Sequence, residues 1–184
     1  MDAILEAAAR ILKVSDYDKS TTNRIAERAG VSIGSLYQYF PGKEALLSAL
    51  LERQVNKNLA GVKALFEAAT RLPLEEAIEE LCQGLVQLFI TDATYFKKLF
   101  LIAPFLGRAE VIIDSRKKAE SLFFEFLGTQ RPEVSPERNA AQAFIAVHAI
   151  MGVIQFCGLA GMPAGWTRAR LASELQDLVR RFLL

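Results

Sequence analysis

With 184 residues the chain is long enough for one domain of ordinary size or two small ones, and 52% hydrophobic against 23% charged residues makes it globular, not disordered. Lys and Arg number 22 and Asp and Glu 21, a formal charge of +1, which excludes a polybasic body, so any affinity for nucleic acid has to come from a local arrangement of charge. Cys82 and Cys157 belong to no Cys-x-x-Cys or Cys/His cluster, leaving no disulfide scaffold and no zinc site on view and fitting a reducing cytoplasm. The opening Met1-Asp2-Ala3-Ile4-Leu5-Glu6 carries acid where a secretory signal needs positive charge.

Every segment reads as helix, because no strict apolar/polar alternation runs longer than a few residues. The expected class is all-α, with about nine helices. Ala3 to Val14 places Ile4, Leu5, Ala8, Ile11 and Leu12 on one stripe, and Ser15-Asp16-Tyr17-Asp18 stops it. Thr21 or Thr22 caps a short second helix, Asn23 to Ala29, closed by Gly30 in left-handed geometry. Ser32 caps a third through about Tyr39, and Pro41-Gly42 breaks it. A long helix then runs from Lys43 to about Ala69 and reads as a connector between modules. Leu72-Pro73-Leu74 closes it, and a further amphipathic helix spans Leu74 to Ile90. Thr91-Asp92 is the next break, followed by helices over Ala93 to Ala103 and Glu110 to Leu127. A polar loop is expected over Gly128 to Pro136, then an apolar helix from Glu137 to Leu159, a glycine-rich loop from Gly158 to Gly165, and a last helix from Thr167 to Phe182.

The stretch Ala143 to Met162 has the length of a bilayer span. Gln142, His148 and Gln155 interrupt it, Gly152, Gly158 and Gly161 are scattered through it, and the flanks Arg138 and Arg168 show no one-sided basic cluster. A helix apolar nearly all round also arises where one face meets the protein's own core and another meets a second subunit. That is the expectation here, and no membrane partner is expected.

Signals for enzymatic chemistry are poor. The single histidine, His148, sits in the most apolar helix and reads as a buried, hydrogen-bonded side chain. Ser115-Arg116-Lys117-Lys118 matches an S-x-x-K pattern without the companion motifs of acyl enzymes, and reads as a solvated helix face. The glycines at 158, 161 and 165 follow a helix and make no phosphate loop. No catalytic residue, metal site or cofactor is expected.

The informative region is Ser20 to Leu47. Two short helices about the turn Gly30-Val31-Ser32 make a helix-turn-helix, whose second helix is narrow enough to enter the major groove of duplex DNA. Ile25, Ala26, Ala29, Val31 and Leu36 are the small and apolar residues that fix the crossing. The outward face offers Ser32, Ile33, Ser35, Tyr37, Gln38 and Tyr39, whose hydroxyls, amide and aromatic edges suit phosphates and base edges.

The run from Thr21 through Ile25-Ala26-Glu27-Arg28-Ala29-Gly30-Val31-Ser32 and Tyr37-Gln38-Tyr39-Phe40-Pro41-Gly42-Lys43 to Leu47 resembles the DNA-binding signature of the TetR family of transcriptional regulators. The likeness is close over about the first fifty residues. It implies a helix-turn-helix domain over residues 1–46 and a helical regulatory domain over 47–184 that dimerises and binds a small molecule. By matched position, Thr21 and Thr22 are implied phosphate contacts. Asn23, Ser32, Ile33, Gly34, Ser35, Tyr37 and Gln38 fall where the family reads or approaches bases, and Tyr39 and Lys43 where it holds the backbone, Lys43 aided by its helix dipole. Two departures matter. Asp16 stands where the family often has glycine. Many relatives carry a basic extension ahead of the first helix, whereas here Arg10, Lys13, Lys19, Arg24, Arg28 and Lys43 are matched by Asp2, Glu6, Asp16, Asp18, Glu27 and Glu44. Weak, strongly salt-dependent DNA affinity is therefore expected, unless a basic segment precedes Met1 in the native protein.

Specificity calls for two motifs about 34 Å apart on a palindromic operator. The last two helices carry more apolar surface than one subunit covers, so a homodimer through a four-helix bundle is expected. Phe89, Phe96, Leu99, Phe100, Phe105, Phe123, Phe144 and Met151 are candidate walls of a cavity for a small, mostly apolar effector, with Tyr95, His148 or Gln155 as polar anchors; few charges are expected on these faces. The leading expectation is a cytoplasmic, ligand-responsive repressor. The alternatives are a helical enzyme or carrier for hydrophobic small molecules, which would need convergent ionisable groups, and an interaction protein with a degenerate motif.

Overall fold

The computed structural model describes residues 1–15, 20–90 and 93–184, without the side chains of 93, 94 and 96. The described residues form nine helices: α1 Asp2–Val14, α2 Thr22–Ala29, α3 Ile33–Tyr39, α4 Lys43–Ala69, α5 Leu74–Ile90, α6 Ala93–Ile102, α7 Ala109–Gln130, α8 Pro136–Ala160 and α9 Arg168–Leu183. The break expected at Thr91-Asp92, and Asp16 with its neighbours to 19, lie outside the described residues.

Two compact units divide the chain. The first holds Met1–Val55 with Thr94–Ile112, the second Asn56–Ala93 with Ile113–Leu184. In this division the start of α4, and α6 from Thr94 on, fall in the unit that holds the motif. In the first unit the stripe Ile4, Leu5, Ala8, Ile11 and Leu12 is buried with Ile25, Ala26, Leu36, Leu46, Leu47, Tyr95 and Leu99. α6 also closes α1 chemically, because Lys98 Nζ donates to the carbonyls of Leu12 and Ser15, both at 3.0 Å, and so caps a helix end whose carbonyls have no partner within the helix.

In the second unit α5 packs chiefly on α9 and α8, burying Ile78, Leu81, Leu85, Phe89, Ile150, Ile154, Leu171, Leu175 and Val179. Phe66, Phe123 and Phe126 form an aromatic cluster with ring centroids 5.6 to 5.9 Å apart. Gly84 allows α5 to approach α4, since a Cβ there would lie 2.3 Å from Leu65 Cδ2. A buried polar chain ties the unit's end: Arg131 donates to Gln142 Oε1 at 3.0 Å, and Gln142 Nε2 to the Phe182 carbonyl at 3.2 Å.

One helix end differs clearly from the sequence expectation. α7 runs through Gly128 to Gln130, where a loop was expected, because Gln130 Nε2 donates to the carbonyls of Leu72 and Thr70 and anchors the last turn. α8 ends at Ala160, one residue past the expected Leu159, where Gly161, at φ 91°, closes it. α8 is long and apolar enough to cross a membrane by length and composition, with a window of mean hydropathy 2.0 that is 33% buried. One flank of α8 packs in the core of the second unit, and another is exposed.

Candidate DNA-binding face

The motif is built as its residues dictate. Thr21 accepts from Arg24 N at 3.4 Å and caps α2; Ser32 accepts from Ser35 N at 3.0 Å and caps α3. Gly30 closes α2 in the left-handed region at φ 69°, with its N–H directed at the carbonyls of Ala26 and Glu27. Leu36, fully buried, pins α3 against Ile25 and Ala26. One apolar residue inward on a seven-residue helix leaves most of the rest outward.

Ser32, Ile33, Gly34, Tyr37, Gln38 and Tyr39 are exposed, and Ser35 half-buried. Tyr37 and Tyr39 stand 49% and 56% exposed, unusual for rings of that size inside a single chain. Local bonds hold the face in place: Ser32 Oγ and Ser35 Oγ are 2.9 Å apart, and Thr22 Oγ1 lies 3.3 Å from the Tyr37 hydroxyl, joining the start of α2 to α3. Thr21 and Asn23 are exposed beside them, and Lys43 is the first residue of α4.

A feature missed by counting charges along the sequence lies next to this face. Arg10, Lys13, Arg24 and Arg28 line one cleft of 310 Å³ between α1 and α2, with Ile11 and Val14 as its apolar lining. The signal was present in the spacing: Arg10 and Lys13 are three apart on α1, and Arg24 and Arg28 four apart on α2, so each pair shares a helix face.

The proposed effector residues fall in different units. Tyr95, Leu99, Phe100 and Phe105 belong to the first; Tyr95 and Leu99 are buried in its core and Phe105 is 91% exposed. The side chain of Phe96 lies outside the described residues. Phe89, Phe123, Phe144, His148, Met151 and Gln155 belong to the second unit. Phe89 and Phe123 are core, Met151 packs against it, and Phe144 is 54% exposed. His148 is half-buried, not buried as its apolar helix suggested. Its Nδ1 donates to the Phe144 carbonyl at 2.9 Å and its Nε2 lies 3.6 Å from Glu120. Nor are these faces free of charge: Arg116 donates to Gln155 Oε1, and burial pulls its guanidinium pKa down while Glu120 pushes it back up. Of the two described clefts, one is the basic cleft above; the other, of 630 Å³ between α5 and α9, is bordered by Glu79, Glu80, Gln83 and Arg168. Neither is lined by the proposed effector residues. Among the described residues no cluster of His, Cys, Asp or Glu could hold a metal.

Comparison with known proteins agrees with this geometry. Residues 4–50 match the family model described as bacterial regulatory proteins, tetR family, and residues 73–183 match that of a tetracyclin repressor-like C-terminal domain. The nucleoid occlusion factor SlmA of Actinobacillus pleuropneumoniae is 41% identical over 59 residues, 32% of this chain and 29% of that protein. The fatty acid metabolism regulator protein of Bacillus subtilis is 33% identical over 54 residues, 29% of this chain and 28% of the relative. The chain thus matches less than a third of the length of either. A crystal structure of a TetR-family regulator from Mesorhizobium loti superposes over 99% of this chain and 94% of its own, with a TM-score of 0.82 and 19% sequence identity. With both of its halves matched by family models, and its motif exposed on the surface, the chain belongs to the TetR family of DNA-binding transcriptional regulators, which are not enzymes.

Proposed function

We propose that the protein is a homodimeric repressor that grips a palindromic operator with two copies of α3 and lets go when a small effector binds. The observation that carries the reading is the α3 face: six side chains or backbone positions able to meet a groove stand outward around one buried leucine. Thr21, Thr22, Tyr39 and Lys43 supply phosphate contacts that set the register; Asn23, Ser32, Ile33, Gly34, Ser35, Tyr37 and Gln38 approach the bases. The dimer reading draws on apolar side chains that a single chain leaves in water: Ile145, Val153 and Phe156 on α8, and Leu178 and Phe182 on α9. Pairing α8 and α9 with their copies covers them in a four-helix bundle.

The effector reading rests on the second unit, where Phe144, Met151, His148 and Gln155 lie along α8 opposite Arg116 and Glu120 of α7. An effector stabilises the dimer geometry it fits, and represses or releases only through its differential affinity for the two states. α4, continuous from Lys43 to Ala69, contributes to both units and is the covalent lever between them.

Selection of random-sequence duplexes on the protein tests the core of this reading. An inverted repeat is expected, with Gln38→Ala relaxing preference at one position of each half-site. Recovery of single, asymmetric sites, or of no sequence preference, overturns it.

A further inference from the structure

α8 carries three faces. Val147, Ile150 and Ile154 lie in its own core, and Ile145, Val153 and Phe156 form the apolar face assigned to a second subunit. His148, Met151 and Gln155 follow Phe144 by four, seven and eleven residues and make a third face with it, which His148 and Gln155 turn towards α7. Opposite stand Arg116 and Glu120, one turn apart on α7. The polar groups of this seam are satisfied by halves, in a complementary way. The Phe144 carbonyl can only accept, so its 2.9 Å contact fixes the proton of neutral His148 on Nδ1 and leaves Nε2 an acceptor. Nε2 faces the Glu120 carboxylate at 3.6 Å, and two acceptors in that arrangement are best joined by a donor set between them. Towards Gln155 the surplus is of donors. Arg116 Nη2 donates to Gln155 Oε1, so the amide nitrogen of Gln155 faces elsewhere and has no partner among the described residues. Arg116 Nε is buried and donates to nothing. The charges of the seam balance, Glu120 holding the guanidinium pKa up against the pull of burial. Apolar surface adjoins them: the Phe144 ring lies 4.3 Å from the His148 ring and is 54% exposed, and Met151 rests on the core.

We propose that this seam takes the head of an uncharged amphiphile in which an N–H or O–H donor stands beside a carbonyl, a primary carboxamide being the simplest case. The donor sits between His148 Nε2 and Glu120, the carbonyl accepts from Arg116 and the Gln155 amide, and the hydrocarbon tail covers Phe144 and Met151. The proposal rests on the effector reading and names the class of molecule that reading leaves open. Opposite charges in one seam decide against an ion. A carboxylate head meets Glu120 and an ammonium head meets Arg116, so either loses on one side what it gains on the other. A neutral head keeps both hydrogen bonds, each strengthened by a charged partner.

The test compares octanamide, octanoate and octylamine, which share one tail and differ in the charge of the head, by calorimetric titration of the whole protein at neutral pH. Octanamide is expected to bind the wild type at least about tenfold more tightly than either ion. Glu120→Gln removes the carboxylate at nearly constant size and is expected to place octanoate above octanamide. Arg116→Gln is expected to place octylamine first instead. A changed rank of heads is a readout that loss of packing alone does not give. Thermal melting identifies a variant that fails to fold, and if Glu120→Gln is such a variant Arg116→Gln decides. Equal binding of the three probes by the wild type, or ranks that neither folded variant moves, overturns the proposal, since the tail alone then holds the molecule. So does a wild type that prefers either ion, or that binds none of the three. The effector reading is judged by a separate measurement, operator affinity with and without octanamide. Octanamide that binds with the expected ranks and leaves operator affinity unchanged supports the ligand class and removes the effector role.

Discussion

At the scale of single residues, Gly34 separates stability from function. A Cβ built there meets only Ser32 Oγ, at 3.8 Å, so the protein itself has room for alanine. Glycine within a helix costs about 0.5 to 1 kcal/mol relative to alanine, and Gly34→Ala should raise the melting temperature slightly. If the backbone at 34 approaches DNA as proposed, the same methyl should weaken operator binding about tenfold or more; a variant that is more stable and binds unchanged would show that DNA does not come close there. Cys82 makes the opposite case of a residue set wholly by the interior. Burial pushes its thiol up to about 12 from an ordinary 9.0. At pH 8 its native reaction with iodoacetamide should be about a thousandfold slower than in the denatured chain, for want of thiolate. The sign of the linkage follows: as pH rises from 9.0 towards 12 the unfolded chain loses a proton that the folded chain keeps, so this group erodes stability across that window and not below it. The outward positions of α3 were legible in the sequence because a short helix with one inward leucine has little choice of face. Those of the effector site were not. Whether Phe105 stands in solvent or Phe123 joins Phe66 and Phe126 depends on partners far along the chain, which helical spacing does not encode.

At the scale of elements, most helices announced themselves through caps and periodicity. Thr21, Ser32, Ser135 and Thr167 each accept from the backbone N–H three residues on, local chemistry that sequence carries directly. The misread end, α7 past Gly128, is one where glycine suggested a stop; there a tertiary bond from Gln130 to Leu72 holds the last turn. The assignment of α6 was equally hidden. Its Lys98 reaches across 86 residues of chain to Leu12 and gives a partner to carbonyls at the end of α1. Lys98→Met keeps most of the aliphatic stem and removes both bonds, and is expected to cost the first unit about 1.5 to 3 kcal/mol. Amide exchange in α1 should speed up accordingly while that of α9 stays as it is. Uniform acceleration across both helices would mean that α6 does not serve α1 in particular.

At the scale of the whole molecule, the apolar excess of α8 is the fact that composition anticipated and the fold sharpens. α8 buries Ala143, Ala146, Val147, Ile150 and Ile154 on the side of its own core, and leaves Ile145, Val153 and Phe156 outward, eight and three residues apart and so on one helical face. Phe156 is 67% exposed, so its replacement disturbs little within a chain. Phe156→Arg should therefore keep the helix content and melting behaviour of a folded subunit while placing two charges, one from each copy, in the proposed interface, where a charge is buried without a partner. Sedimentation is expected to give a monomer at concentrations where the wild type is a dimer. Operator affinity should fall at least a hundredfold, because a single α3 reads too few base pairs and loses the second half-site's contribution. The size of that loss depends on the duplex: on an isolated half-site the variant and the wild type should bind alike, since each then uses one motif. A variant that still sediments as a dimer would move the interface off α8. A monomer that binds the full operator as tightly as the wild type would remove the need for two-fold symmetry, and with it the argument that the regulator measures the distance between its own two motifs.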